Sequence, residues 1–573
     1  QEDWEKDFQW IQEKAKELAA YAGTLKNGKD TVLSLLKTYA EANEHLSRLY
    51  TYASCNLNVD NGDSFNQGVM ARTQTLYAQY SAAVAFLSPE LLKLPKATLK
   101  GYIADPDFGD FDVFLKDLER MRPHTLSSEV ETLLASGQEV FGATGNVYDM
   151  LTDVDMSLGK VKGEDGKMVE LTHARYGSML ESPDRSVRKA AYERMMKAYG
   201  AYGSTFAATY AGNVKSDVFM AKAHGYQSAR EAALYPDDIP VSVYDNLLKA
   251  VHEALPVLHA YCGMRKEAFG IPTVHMYDLY APMTKDFQMK LSFDEAYELL
   301  LEGVAPLGKD YQDVVRSAKD GGWIDVYENV GKRGGAYSSG SSRPHPYVLL
   351  NHKDTLDSMF TIAHEMGHAL HSWHSCKHQP VCTSDYVIFV AEVASTCNEV
   401  LLMRYLLGRT QDKRERAYLI NHFLDQFKGT VYRQTMFAEF EKIMGEMNGA
   451  GEALTADALS EKYLALNKLY FGPDMVSDDG IALEWARIPH FFYNYYVFQY
   501  ATGFSAAVAI ANRILSEGES AVADYKKFLS SGGSADPISL LKIAGVDMST
   551  PKPVNDALAL FGELIDEMEQ LAD

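Results

Sequence analysis

The stretch TLDSMFTIAHEMGHALHSWHS, residues 355–375, reads as a helix and carries His-Glu-Met-Gly-His at residues 364–368. At 3.6 residues per turn, positions four apart lie within roughly 40° of each other, so His364 and His368 present their imidazoles on one face. Two ring nitrogens one turn apart can reach a single ion at about 2.0–2.1 Å. Glu365 projects beside the pair, where it can take a proton from a water activated by that ion without being a ligand itself. In a chain with 16 histidines the expected number of chance HExxH strings is roughly 0.03. The competing reading is a pair of helix histidines bonded to their neighbours.

A hydrolytic zinc site keeps three protein ligands and one open position, so a third ligand must exist. His374 lies six residues past His368, but His371 stands where a glycine would let the chain leave the helix, so His374 is expected to point about 120° away from His368. Glu392, in FVAEVASTCNEV at residues 389–400, is better placed. The gap after His368 accommodates the rest of the first helix, a loop through Pro380 and a second helix beside the first. Glu399 lies two turns further on, about 20° from the same face, where it can accept the outer N–H of a ligand imidazole. A carboxylate on so apolar a helix needs a reason to be buried, and a cation is one.

A third cluster is WARIPH at residues 485–490, followed by FFYNYYVFQYATG. A helix beginning near Pro489 would bring Tyr493, Tyr496 and Tyr500 within an arc of about 60°, with His490 at its leading edge and Tyr495 facing elsewhere. Hydroxyls and an imidazole on one stripe suit donation to a developing oxyanion, although such a stripe also fits an aromatic core. His371, His374, Cys376, His378 and Cys382 have the spacing of no zinc finger or ribbon. No phosphate-cradling or dinucleotide-binding glycine string is present.

Outward from these motifs the chain is ordinary globular material: 573 residues, 46% apolar and 23% charged. Acidic side chains number 78 against 55 basic, a formal net charge of −23. That field repels a phosphate backbone and no basic stripe compensates, so nucleic acid is not an expected partner. It would mildly favour cationic substrates, though solubility alone accounts for such a surplus. No apolar run approaches the roughly 18 residues of a membrane span. The cysteines, Cys55, Cys262, Cys376, Cys382 and Cys397, form no paired framework, which favours a reducing, cytoplasmic setting, with a removed leader left open. Helical patterns cover most of the length, with a run at 32–49 capped by Asp30 or Thr31 and a turn-rich loop or small hairpin at 159–167. Only 321–350, containing GKRGGAYSSGSSRPHP at residues 331–346, reads as sheet. A mainly α body with one small β insert follows, divided into a helical N-terminal region, 1–190, and a catalytic region, 191–573.

In combination, TIAHEMGHALH (361–371), AEVAST (391–396), GKRGGAY (331–337) and WARIPHFFYNYY (485–496) resemble the oligoendopeptidase F proteins within the thimet oligopeptidase-like zinc metallopeptidases. The resemblance implies a large helical zincin-type (gluzincin) fold with a deep substrate channel and a small sheet near the HExxH helix. It implies one Zn2+ per chain held by His364, His368 and Glu392, with Glu365 as general base and Glu399 behind the ligands. His490 with Tyr493, Tyr496 or Tyr500 would stabilise the transition state, and Gly335, Ala336 and Tyr337 would border the substrate. The expected activity is cleavage of internal bonds in short peptides, with the oligomeric state left open. Two alternatives remain: a peptidyl dipeptidase of the angiotensin-converting-enzyme type, or a non-catalytic peptide-binding scaffold.

Overall fold

The computed structural model describes residues 1–284, 287–339 and 345–572, so residues 340–344 of the glycine-rich stretch lie outside the described residues. The described chain is mainly helical with small sheets. Contacts divide it into two units, each built from three chain segments.

The first unit joins Gln1–Thr125, Gln288–Tyr405 and Ile510–Val546. Its N-terminal helices Glu2–Ala19, Lys29–Val59 and Ser64–Val84 pack on one another. Trp4, Ile11 and Leu18 recur every second turn along the first of them and meet Leu35, Leu46 and Leu49 of the second and Val69, Leu76 and Tyr80 of the third in one buried core. Each such side chain contributes about 1.5–3 kcal/mol on leaving water. The second helix starts one residue before the expected caps, because Gly28 at φ 121° makes the turn, and it continues past Leu49 to Val59. The third is capped by Asp63, whose carboxylate accepts the N–H groups of Phe65 at 2.7 Å and Asn66 at 3.2 Å.

The glycine-rich stretch forms the expected sheet. Ile324–Asp325 runs parallel to Tyr347–Leu349, which pairs antiparallel with the edge strand Tyr337–Ser339. The loop before that strand is tied to the end of the second helix: Asn61 N–H donates to Gly331 O at 2.7 Å and Arg333 N–H to Asn58 O at 2.8 Å. Gly331 adopts φ 87°, and a Cβ there would strike the Asp60 carboxylate.

The HExxH segment lies in the helix Leu356–His378, capped by Thr355, whose hydroxyl accepts the Ser358 N–H at 3.2 Å. The chain turns through Val381–Thr383 and returns as the helix Ile388–Arg409. These two helices touch backbone to backbone at Gly367, where a Cβ would lie 2.5 Å from the Cα of Ser395 and 2.6 Å from the Ala394 carbonyl oxygen. A glycine inside a helix sacrifices about 1 kcal/mol of propensity relative to alanine, and here close approach is the return. Asn398 reinforces the junction by donating to Ala363 O at 3.2 Å while accepting from the Tyr311 hydroxyl at 2.9 Å.

The second unit joins Leu126–Phe287, Leu406–Ala509 and Asp547–Asp573. Two short ladders belong to it: the hairpin Lys160–Lys162 with Met168–Glu170, and the parallel pair Val274–His275 with Met475–Val476, which has no local sequence signal. Two of its buried carboxylates, Asp278 and Glu484, are matched by cations. Asp278, fully buried, receives Arg185 at 2.8 Å and Arg188 at 2.9 Å. Glu484 receives Arg433 at 2.7 Å, Arg487 at 3.1 Å and the Tyr463 hydroxyl at 2.6 Å.

Gly367→Ala should therefore lower the calorimetric melting temperature, since overpacking of this kind costs about 1–3 kcal/mol. Gly408→Ala, on the same pair of helices but facing open space, should not. Equal melting temperatures for the two variants would show that the backbone contact at Gly367 is not limiting.

Candidate functional site

The close approach at Gly367 brings three ligand atoms together in the first unit. His364 Nε2 and His368 Nε2 stand 3.2 Å apart, and Glu392 Oε2 lies 3.3 Å from the first and 3.5 Å from the second. Ligand atoms held 2.0–2.1 Å from a tetrahedral ion of zinc's size are separated by about 3.3 Å, so the three atoms match one face of such a tetrahedron. Among the described residues this is the one group of three or more His, Cys, Asp or Glu side chains able to share an ion.

The electrostatics agree. Burial drives the His364 imidazole towards neutrality, but hydrogen bonds to Glu392 and Glu399 more than reverse this and hold its pKa well above the ordinary value. Burial likewise works against ionisation of Glu392, yet the two imidazoles keep its carboxyl far below the usual range. The protein groups by themselves thus gather positive charge among the three ligand atoms, which a divalent cation supplies directly. Glu399 accepts from His364 Nδ1 at 2.7 Å, fixing the ring so that Nε2 faces Glu392.

Glu365 follows His364 and is 7% exposed. Burial raises its carboxyl pKa, the two ligand imidazoles lower it, Glu392 raises it, and a backbone hydrogen bond from Ser338 lowers it, with a net upward shift. The Ser338 contact places the edge strand Tyr337–Ser339 beside Glu365. Gly335, at φ 82°, and Ala336 lead into that strand, and Asn351 holds the Gly335 carbonyl at 2.7 Å. The Tyr337 hydroxyl accepts from Asn58 Nδ2 at 3.0 Å, and burial pushes its pKa up to about 12.

His371 and His374 lie on the same helix but outside the triad. His371 stacks on Tyr386 with ring centroids 3.7 Å apart, and burial holds it well below its ordinary pKa. His374 stacks on Tyr311, and burial pushes it down to about 4.

His490, Tyr493, Tyr496 and Tyr500 belong to the second unit, and the helix expected from Pro489 is not formed. A 3-10 turn, Pro489–Phe492, is followed by left-handed residues Asn494 at φ 45° and Tyr495 at φ 60°, and the helix begins at Phe498. The four rings nevertheless gather. His490 lies 5.6, 6.3 and 5.9 Å from Tyr493, Tyr496 and Tyr500, with its Nε2 3.4 Å from the Tyr500 hydroxyl. Tyr493 is 57% exposed, and burial lowers the pKa of His490.

Two left-handed non-glycine residues in succession cost roughly 1–3 kcal/mol each, so something must hold them. The Tyr495 N–H donates to Glu441 Oε1 at 3.0 Å, and its hydroxyl donates to the Glu441 carbonyl at 3.4 Å, in space that a Cβ on Gly445 would occupy.

Comparison with known proteins decides the family. The sequence profile of peptidase family M3 matches residues 178–560, and that of oligopeptidase F matches residues 90–157. The chain belongs to peptidase family M3. It is 45% identical over 571 residues to oligopeptidase PepF of Bacillus subtilis, covering 100% of this chain and 85% of that protein. It is 39% identical to group B oligopeptidase PepB of Streptococcus agalactiae, covering 99% and 94%. The crystal structure of oligoendopeptidase-F from Enterococcus faecium superposes with a TM-score of 0.78 at 36% identity, covering 100% of this chain and 99% of that one. A crystal structure from Chlamydophila abortus superposes with a TM-score of 0.90 at 33% identity, covering 99% and 97%. The chain is an oligopeptidase F-type M3 metallopeptidase, and its His-His-Glu cluster is the candidate metal centre.

Three features of this M3 chain escaped the sequence reading. The Ser338 contact depends on strand pairing, and the Glu441 anchor lies far from the turn it holds. Gly367 alone left a signal, as a glycine inside an otherwise strong helical pattern.

Burial raises the Glu441 carboxyl to about 8, opposed by its Tyr495 bond and reinforced by Asp217. The folded chain thus holds a proton that an unfolded glutamate releases near about 4.3, so this contribution to stability is full below that pH and is lost as the pH rises towards 8. Glu441→Gln keeps the acceptor but cannot ionise. Its melting temperature should match the parent at about pH 4 and exceed it increasingly up to about pH 8. A gap that stays constant over that range would refute the assignment.

Proposed function

We propose that this M3 peptidase is a zinc endopeptidase that cuts internal bonds of short peptides. The single observation that carries the reading is the set of ligand-atom separations, 3.2, 3.3 and 3.5 Å, with Glu365 buried alongside. Two neutral imidazoles and one carboxylate form a donor set that suits zinc and leaves a coordination position open. One ion per chain, held by His364, His368 and Glu392, would polarise the scissile carbonyl and acidify the attacking water.

The remaining steps fall to the chain's own side chains. Glu365 accepts the proton of the attacking water and passes it to the leaving amine, and its burial makes it a better base than an exposed glutamate. The edge strand Tyr337–Ser339, reached through Gly335 and Ala336, offers backbone groups to an extended peptide. His490 and the hydroxyls of Tyr493, Tyr496 and Tyr500 supply donors to the oxyanion. No disulfide joins the cysteines among the described residues, which supports a reducing, cytoplasmic location.

Glu365→Gln should retain its metal and lose turnover of an internally quenched peptide by about 10²–10⁴-fold. Mass spectrometry of the parent's products should show internal cuts. Parent-level turnover by the variant would remove Glu365 from the mechanism, and exclusive release of C-terminal dipeptides would replace the endopeptidase reading with a peptidyl dipeptidase.

A further inference from the structure

The last carbonyls of a helix have no partner within it. At the end of Lys29–Val59 they are taken up by the glycine-rich loop that leads into the edge strand. Asn58 O accepts the Arg333 N–H at 2.8 Å, and Val59 O accepts Asn329 Nδ2 at 3.1 Å. Just beyond, the backbone N–H and the side-chain amide of Asn61 both donate to Gly331 O, at 2.7 and 3.0 Å. From within the loop Lys332, its side chain fully buried, donates to Tyr327 O at 2.6 Å and pairs with the Asp325 carboxylate. Asn351 Nδ2 donates to the Arg333 and Gly335 carbonyls at 2.9 and 2.7 Å.

These bonds hold the loop and stop short of the strand. The Asn58 side chain goes further: its Nδ2 donates to the Tyr337 hydroxyl at 3.0 Å. Cys55 lies one turn earlier on the same helix face, and its sulfur bonds the same hydroxyl. The Tyr337 oxygen is thus fixed by an amide on one side and a thiol on the other.

The strand needs such a tie. It has three residues and pairs with one neighbour, through Tyr337–Leu349, Ser338–Val348 and Ser339–Tyr347. A short strand bound on one side is among the least constrained parts of a sheet. Yet Ser338 must stay within bonding distance of Glu365, and a peptide adding to the outer edge needs its partners fixed, since a displacement of about 1 Å is costly.

We propose that Asn58 is a positioning residue for the substrate: through the Tyr337 hydroxyl it sets the edge strand Tyr337–Ser339 where an extended peptide adds to it. The inference rests on the reading of that edge as the substrate's backbone partner.

Steady-state kinetics of the zinc-loaded chain are measured on an internally quenched peptide and on copies N-methylated at one amide each, away from the scissile bond. N-methylation removes a donor, so the parent's KM should rise about tenfold at one or more positions, the worth of one hydrogen bond. Asn58→Leu fills similar space without the amide. It should raise KM for the unmethylated peptide about tenfold with kcat within about twofold of the parent, as loss of uniform binding does. Its N-methylation penalty should shrink to about twofold or less. Tyr337→Phe keeps the ring and should behave alike, and it carries the test by itself where Asn58→Leu does not fold. The double variant should be no worse than either single variant, because both remove the same bond. A parent-level KM for Asn58→Leu, an undiminished N-methylation penalty, or additive effects in the double variant overturns the inference. No penalty at any position in the parent removes the edge reading and this inference with it, whereas a parent penalty that Asn58→Leu leaves intact removes the inference alone.

Discussion

Two helices can bring their backbones into contact only where a side chain is missing, and the candidate metal centre of this M3 chain is built on one such place. Gly367 stands between the two histidines of the HExxH string, so the Ser395 backbone can close on the helix within a turn of both rings. Glu392 is one turn before Ser395 on the second helix, and Glu399 one turn after it. The first therefore reaches the outer nitrogens of the imidazoles, and the second reaches the inner nitrogen of His364. A shift of 1 Å at this contact would carry the carboxylate out of the separation a tetrahedral ion requires.

The same contact decides the charge balance. Burying two carboxylates beside a helix would be prohibitive without compensation. Here the imidazoles and the ion they imply compensate Glu392 and Glu399. Elsewhere arginine and lysine do so for Asp278, Asp425 and Glu484. Glu441 takes a third solution, holding its proton near neutral pH while anchoring the Tyr495 turn.

How far the sequence could be read follows from how local each determinant is. The two histidines, Glu365, Glu392 and Glu399 were legible because helical spacing and a short connection fix their directions, and the resemblance to oligoendopeptidase F drew on the same residues. The tyrosine stripe was legible as a set but not as a shape. Its four rings do gather around His490, yet through a left-handed turn at Asn494 and Tyr495 that is held by Glu441, a residue of a different helix. The parallel pair of Val274–His275 with Met475–Val476 joins short segments about two hundred residues apart, and neither segment has enough length for a strand pattern of its own. The Tyr337–Ser339 edge was visible only through its glycine-rich approach.

The central claim is that His364, His368 and Glu392 jointly hold one divalent ion. The direct measurement is metal content and affinity of the parent and of Glu392→Ala, both dialysed against a competing chelator and analysed by mass spectrometry of the metal. The account predicts one zinc per parent chain and a loss of affinity in the variant larger than the roughly 10–100-fold that follows removal of an outer hydrogen-bond partner. Full occupancy of Glu392→Ala at the parent's affinity would contradict it.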